Sequence, residues 1–346
     1  MGTLQRQVPQ EPLSKKPNHV RFDGNARKNG SSTKPKPMLG SKSHPKQQAK
    51  QQAKQHSKPQ SLLVAVPCEQ KWFALPLPPM TDTLDVPKQA KPFETLRLRK
   101  ERCRPLEERA ASLYQTQAAL YQDDKAKMSP ADADWASQVL RNGTMTDKLS
   151  LMTLMVQEAP LYNLEALEKL IQMANKKARR EAIMAIDALR DLWINNLAPS
   201  DRALRFFHEQ SIDANAVTEL HLFLYHVEDR LKHLHGQFLQ CLAQWATDTL
   251  SHVKVKVITV LKECLLAIPE GERTALAVLV NKLGDGDRQV ASKIVSEIND
   301  ILRVHPAMKP YIVKEVLEVI WRPNIADRAQ YIFFFGGCLL RPHLSV

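Results

Sequence analysis

Cysteine is scarce in this 346-residue sequence, and the five present, Cys68, Cys103, Cys241, Cys264 and Cys338, are scattered, odd in number and never in a C-x-x-C pair. That pattern argues against a disulfide framework or a zinc ribbon and fits a reducing compartment. Long apolar runs are missing as well. No stretch reaches the roughly 18 apolar residues of a membrane span, and the basic N-terminus lacks the apolar core of a secretory signal, so an intracellular protein is expected. Glycine is limited to 11 residues, none of them in a Walker loop or a dinucleotide fingerprint, and G-x-S-x-G and H-E-x-x-H are also absent. Neither enzymatic activity nor a cofactor is expected. The carboxylate doublets Glu107-Glu108 and Glu228-Asp229 do not change this. Neighbours on a helix point in different directions and cannot flank one scissile bond, so both pairs read as solvated.

Charge of one sign is concentrated rather than abundant. Residues 1–60 hold 13 basic and 2 acidic side chains, a net +11 of the total +12, and only eight residues of the larger apolar types. So little apolar surface does not offset the chain entropy lost on folding, and a disordered basic tail over residues 1–67 is expected. Its cations Lys15, Lys16, Arg27, Lys28, Lys34, Lys36, Lys46, Lys50, Lys54 and Lys58 are candidates for nucleic-acid phosphates. The last four are spaced four apart in KQQAKQQAKQHSK, so they repel one another in an isolated helix, and a polyanion relieves that repulsion. A proline-rich linker over residues 68–92 follows, interrupted by KWF. Two readings stand for Trp72 and Phe73: docking onto this protein's own helices, or into a partner's groove.

From residue 93 to about 335 Gly and Pro occur almost only as punctuation, and the segments between them carry helical periodicity. Ser129-Pro130, Asn163 and Ser200 read as helix starts, and Gly143-Thr144 as a helix-ending glycine followed by a cap, which explains the sequon at Asn142. HVKVKVITV alternates like a strand, but Val257, Leu261, Cys264 and Ile268 continue one helical face, so it is assigned to helix. Four segments, DKLSLMTLMVQE, RREAIMAIDALRDL, VKVKVITVLKECLL and RQVASKIVSEINDIL, align without gaps. The middle offset is about twice the other two, so a helix-pair repeat of roughly 32–37 residues accounts for all three. The fold class expected is all-α: a HEAT/armadillo-like α-solenoid behind the basic tail.

Three clusters remain. GDGD at residues 284–287 reads as a helix stop and restart, with Gly284 left-handed and Asp285 or Asp287 capping, and not as a metal loop. His221, His226, His233 and His235 spread over different helical faces, which favours surface or packing roles over a metal site. NKKARR concentrates Lys176, Lys177, Arg179 and Arg180 at a helix junction. These cations suit the C-terminal dipole of the helix begun near Asn163, or they contact nucleic-acid phosphates; a run of four also fits nuclear import.

The stretch LRNGTMTDKLSLMTLMVQEAPLYNLEALEKLIQMANKKARREAIMAIDALRDLWINNLAPSDRALRFF resembles the CCAAT-binding-factor family. So do FLYHVEDRLKHLHGQFLQCL, LVNKLGDGDRQVASKIVSEINDIL, HPAMKPYIVKEV, RPNIADRAQY and the KWF element, in order over about residues 68–331. The resemblance implies a HEAT-like solenoid acting in the nucleolus in early assembly of the large ribosomal subunit, with a second nucleolar-complex protein on pre-ribosomal RNA. Family members are also described as transcriptional activators at CCAAT promoter elements. After Tyr331 the sequence IFFFGGCLLRPHLSV departs from the family's helices, so residues 336–346 are expected to form a divergent end, with Phe333, Phe334 and Phe335 sticky. The leading expectation is a non-enzymatic assembly factor that binds RNA through its tail. The runner-up is a promoter-DNA regulator, which lacks a recognisable groove-entering motif here.

Overall fold

The computed structural model describes residues 61–66, 70–83, 92–213 and 216–321. The basic tail up to residue 60, Cys68, Cys338 and the divergent end with its three phenylalanines lie outside the described residues. Ten α-helices and no strand occur among the described residues. In chain order they are α1 (Pro92–Met128), α2 (Pro130–Asn142), α3 (Met145–Glu158), α4 (Leu164–Ala174), α5 (Arg179–Leu192), α6 (Glu219–Trp245), α7 (Ser251–Ala267), α8 (Glu272–Asn281), α9 (Arg288–Val304) and α10 (Lys309–Ile320).

The helices form a two-layered α-solenoid. Helices α3, α5, α7 and α9 stack successively in one layer and α4, α6, α8 and α10 in the other. The four aligned sequence segments are the four helices of the first layer, and the strand-like HVKVKVITV lies within α7. Apolar stripes are buried between the layers: Leu167, Leu170 and Ile171 of α4, Ile186 and Leu189 of α5, Val257 and Leu261 of α7, and Val290, Ile294 and Ile298 of α9 are all almost fully buried. Charges tie the first layer together across its outer face. Asp187 of α5 meets Lys256 of α7 at 2.8 Å, Arg190 meets Glu263 at 3.1 Å, and Lys262 of α7 pairs with the buried Glu297 of α9. Helix starts follow local chemistry. Thr144 accepts from the Asp147 N–H while Asp147 accepts from the Thr144 N–H, a reciprocal cap that begins α3 right behind Gly143.

Four sequence expectations need correction. The doubled middle offset does not hold an additional helix pair. Instead, one pair, α5 and α6, is joined by an irregular connection over residues 193–218, and α6 runs to 27 residues. No helix starts at Ser200. The N–H groups of Leu204, Arg205 and Phe207 are taken by the carboxylates of Glu270, Glu228 and Asp229, at 2.7, 3.0 and 2.9 Å, partners that compete with helical bonding. Those same bonds overturn the reading of Glu228-Asp229 as solvated: the residues are 5% and 7% exposed, and Glu228 also pairs with Arg202 and accepts from Gln210. Gly284 ends a short 3₁₀ turn without a left-handed backbone; Gly271, at φ 69°, is the glycine in that region among the described residues. The stop and restart itself holds, with Asp287 capping α9 through the Gln289 N–H.

The packed chain also begins before residue 68. Val64, within the segment read as tail, is buried, its N–H donating to the Tyr162 hydroxyl at 3.1 Å and its carbonyl accepting from it at 2.7 Å. Leu63 N–H donates to Gln117 of α1. The first segment, residues 61–66, thus rests on α1 and on the α3–α4 turn.

Candidate nucleic-acid interface

NKKARR falls at a turn between the layers. Helix α4 ends at Ala174, before the cluster, and Arg179 and Arg180 open α5. The two arginines therefore stand at a helix N-terminus, the end whose dipole disfavours cations, so complementing the α4 dipole accounts at most for Lys176 and Lys177. Arg179 has a different task. Its Nε donates to Asp248 at 3.0 Å and its guanidinium to the Thr249 hydroxyl at 3.3 Å, bracing the α4–α5 turn against the α6–α7 turn. Burial pushes the Asp248 carboxyl up, but the Leu250 N–H and Arg179 outweigh it and hold the group below its ordinary value. Lys176 lies 3.9 Å from the Met145 sulfur, while Lys177 and Arg180 are exposed and form no ion pair among the described residues. All four cations predicted to act together are exposed, but Arg179 is committed to an ion pair with Asp248, while Lys176, Lys177 and Arg180 form no ion pair among the described residues.

The same edge continues through the later turns. Trp245, at the end of α6, donates its indole N–H to the Ala174 carbonyl at 2.7 Å. Ser251 at the start of α7 donates to Asp287, and Lys254 reaches Asp285 at 2.9 Å. Burial again raises the Asp285 carboxyl, and Lys254, the Asp287 N–H and Lys282 together pull it below its ordinary value.

Trp72 and Phe73 dock internally. Trp72 is 5% exposed and donates its indole N–H to the Leu197 carbonyl at 3.0 Å, inside the α5–α6 connection. Phe73 is half-buried against it, edge to face at 5.5 Å, under the Lys71 ammonium. Beyond KWF the chain is tied down again: His221 Nε2 lies 3.1 Å from the Pro78 carbonyl, Asp82 meets Arg99 at 2.7 Å, and Thr83 N–H donates to the Ile212 carbonyl. A carbonyl only accepts, so Nε2 of His221 is the donor to Pro78, and Nδ1 lies 2.6 Å from the Thr218 hydroxyl. Residues 70–83 are therefore a strap over the α5–α6 connection. The tail cations, from Lys15 to Lys58, lie outside the described residues.

The four histidines separate. His221 and His235 are buried, His226 half-buried beside Tyr114, and His233 exposed near Asp229. No group of three or more His, Cys, Asp or Glu among the described residues is arranged to hold a metal ion. Cys103, Cys241 and Cys264 are buried free thiols, and burial pushes Cys241 up to about 11 and Cys264 up to about 12, far from a reactive thiolate. No helix among the described residues is long and apolar enough to cross a membrane.

No family model matches the chain. Among curated proteins it is 32% identical over 210 residues to human CCAAT/enhancer-binding protein zeta, covering 58% of this chain and 20% of that protein. It is 35% identical over 215 residues to ribosome biogenesis protein NOC1 of Chaetomium thermophilum, covering 56% and 21%. With nucleolar complex protein 1 of Drosophila melanogaster it shares 34% identity over 224 residues, covering 62% and 19%. The chain spans about a fifth of the length of these relatives.

Proposed function

Starting from a chain that is a relative of CCAAT/enhancer-binding protein zeta and nucleolar complex protein 1, as its quoted motifs indicated, we propose a non-enzymatic nucleolar factor of ribosome biogenesis. It binds pre-ribosomal RNA through its basic tail and a nucleolar-complex protein through the solenoid. The observation that carries this reading is the similarity to proteins named for ribosome biogenesis and for the nucleolar complex. The non-enzymatic part is supported by where reactive groups are spent. The buried carboxylates of α6 hold backbone N–H groups, and the buried thiols are far above neutral.

A second reading, regulation through CCAAT promoter elements, draws on the name of the human relative. One experiment separates the two. The tagged full chain is crosslinked in cells and the bound nucleic acid sequenced, with co-purifying proteins identified from the same sample. Pre-ribosomal RNA together with nucleolar-complex proteins is the expected result. Enrichment of promoter DNA in place of ribosomal RNA transfers the function to the second reading.

A further inference from the structure

We propose that the edge of the solenoid formed by the α2–α3, α4–α5 and α8–α9 turns is itself an RNA phosphate-binding stripe, carried by Arg141, Lys148, Lys176, Lys177, Arg180 and Arg288. The choice of RNA as the polyanion rests on the functional reading above; the stripe itself rests on the charge arithmetic of this edge. Its acids are nearly all engaged. Asp147 is bonded to Thr144, Asp248 to Arg179, Asp285 to Lys254 and Lys282, and Asp287 to Ser251 and the Gln289 N–H. Glu181 is the one acid in the first turn of α5 without an ion pair among the described residues. Asp147 and Asp287 keep their charge, since their partners are hydroxyl and N–H groups, so these two and Glu181 are three acids without an ion pair standing against the six named cations. None of them forms an ion pair among the described residues; Lys148 is half-buried and the other five are exposed.

The turns are held to one edge by direct ties. Lys148 donates to the Arg141 carbonyl at 3.2 Å, Lys176 touches Met145, Arg179 reaches Asp248, and Ser251 reaches Asp287. Each turn joins the C-terminal end of one helix to the N-terminal end of the next, so the helix dipoles oppose one another and the surplus is a side-chain charge. Packed helices lie about 8–10 Å apart, close to the screening length of about 8 Å at physiological salt, so the adjacent α2–α3 and α4–α5 turns act on a ligand as one field, and Arg288 extends the row one turn beyond the α6–α7 turn. A row of point charges recurring along a helical array matches an extended phosphodiester chain better than a single small anion.

The test uses the full chain and a fluorescent oligouridine of about 20 nucleotides, with binding followed by anisotropy over a range of salt. Substituting Arg141→Ser, Lys177→Ser, Arg180→Ser and Arg288→Ser together should lower the slope of log affinity against log salt by about 0.7 for each cation lost, about 3 in all, and weaken binding at least tenfold. Circular dichroism and the melting temperature of the variant should match the parent, because these four side chains form no hydrogen bond or ion pair that braces another residue among the described residues. A parallel variant with Lys46, Lys50, Lys54 and Lys58 changed to Ser gauges the tail's share separately. An unchanged slope in the stripe variant overturns the proposal. So does equal, equally stripe-dependent binding of polyglutamate, which would make the edge a docking site for acidic protein. If the stripe variant loses oligouridine while cellular crosslinking returns no pre-ribosomal RNA, the surface stands and the functional reading falls. An unchanged slope with pre-ribosomal RNA recovered has the opposite meaning.

Discussion

His235 packs edge-on against Trp193 with ring centroids 4.7 Å apart, and burial drives its pKa from 6.5 down to about 3. His226, half-buried against Tyr114, is lowered to about 4, again chiefly by burial. Both imidazoles stay neutral in the folded chain at pH 5, whereas in the unfolded chain they take up protons below about 6.5. The unfolded state then holds more protons, so stability falls as pH drops from about 6.5 towards 3–4, by about 1.4 kcal/mol per pH unit for each histidine. Urea denaturation of a His235→Gln variant should show a smaller loss of stability between pH 7 and pH 5 than the parent; equal losses in both would exclude His235 as the source. Gly271 makes a second residue-scale test. At φ 69° an added Cβ would sit 2.4 Å from Leu239 Cδ1, so Gly271→Ala should cost about 1–3 kcal/mol, read as a lower urea midpoint. The sequence showed four histidines without metal spacing. It did not separate His233, which faces solvent, from His235, because α6 is packed on more than one side and has no single apolar stripe to sort them.

At the scale of elements, what was legible followed from periodicity and what was missed followed from tertiary partners. The capped start of α3, the proline start of α2 and the assignment of the alternating valines to α7 all rest on local rules and hold. Ser200 obeyed the same rules and failed, since the carboxylates that claim the backbone N–H groups at residues 204–207 come from residues 22–66 positions away. These anchors make a strong prediction. Glu228→Ala strips Arg202, Arg205 and Gln210 of an acceptor in a buried setting, and should cost about 2–4 kcal/mol by chemical denaturation. It should also open the 198–213 connection, which carries Arg202 and Arg205, as a new site of tryptic cutting. A variant as stable and as protease-resistant as the parent would show that this connection is held by apolar packing alone. The two readings left open for KWF are decided by the same kind of long-range contact: the Leu197 carbonyl receives the Trp72 indole across 125 positions of sequence. Trp72→Ala should lose about 3–5 kcal/mol and release residues 70–83 to protease.

At the scale of the whole molecule, the layered array gives each helix pair contacts mainly with its neighbours, which in a plain solenoid lets one end melt while the other stands. The strap changes that. Residues 61–66 and 70–83 touch α1 through Gln117 and Arg99, the α3–α4 turn through Tyr162, the α5–α6 connection through Leu197 and Ile212, and α6 through His221. It works as a stitch through several successive plies, so those plies separate together or not at all. Among the described residues its hydrogen bonds and ion pairs reach none of α7 to α10, which are joined ply to ply. Native-state hydrogen exchange should therefore resolve two cooperative blocks, α1 to α6 opening as one and α7 to α10 opening at lower free energy, and in Trp72→Ala the first block should break into smaller units. Pulled from its two ends, such a fabric frays at the hem that carries no thread.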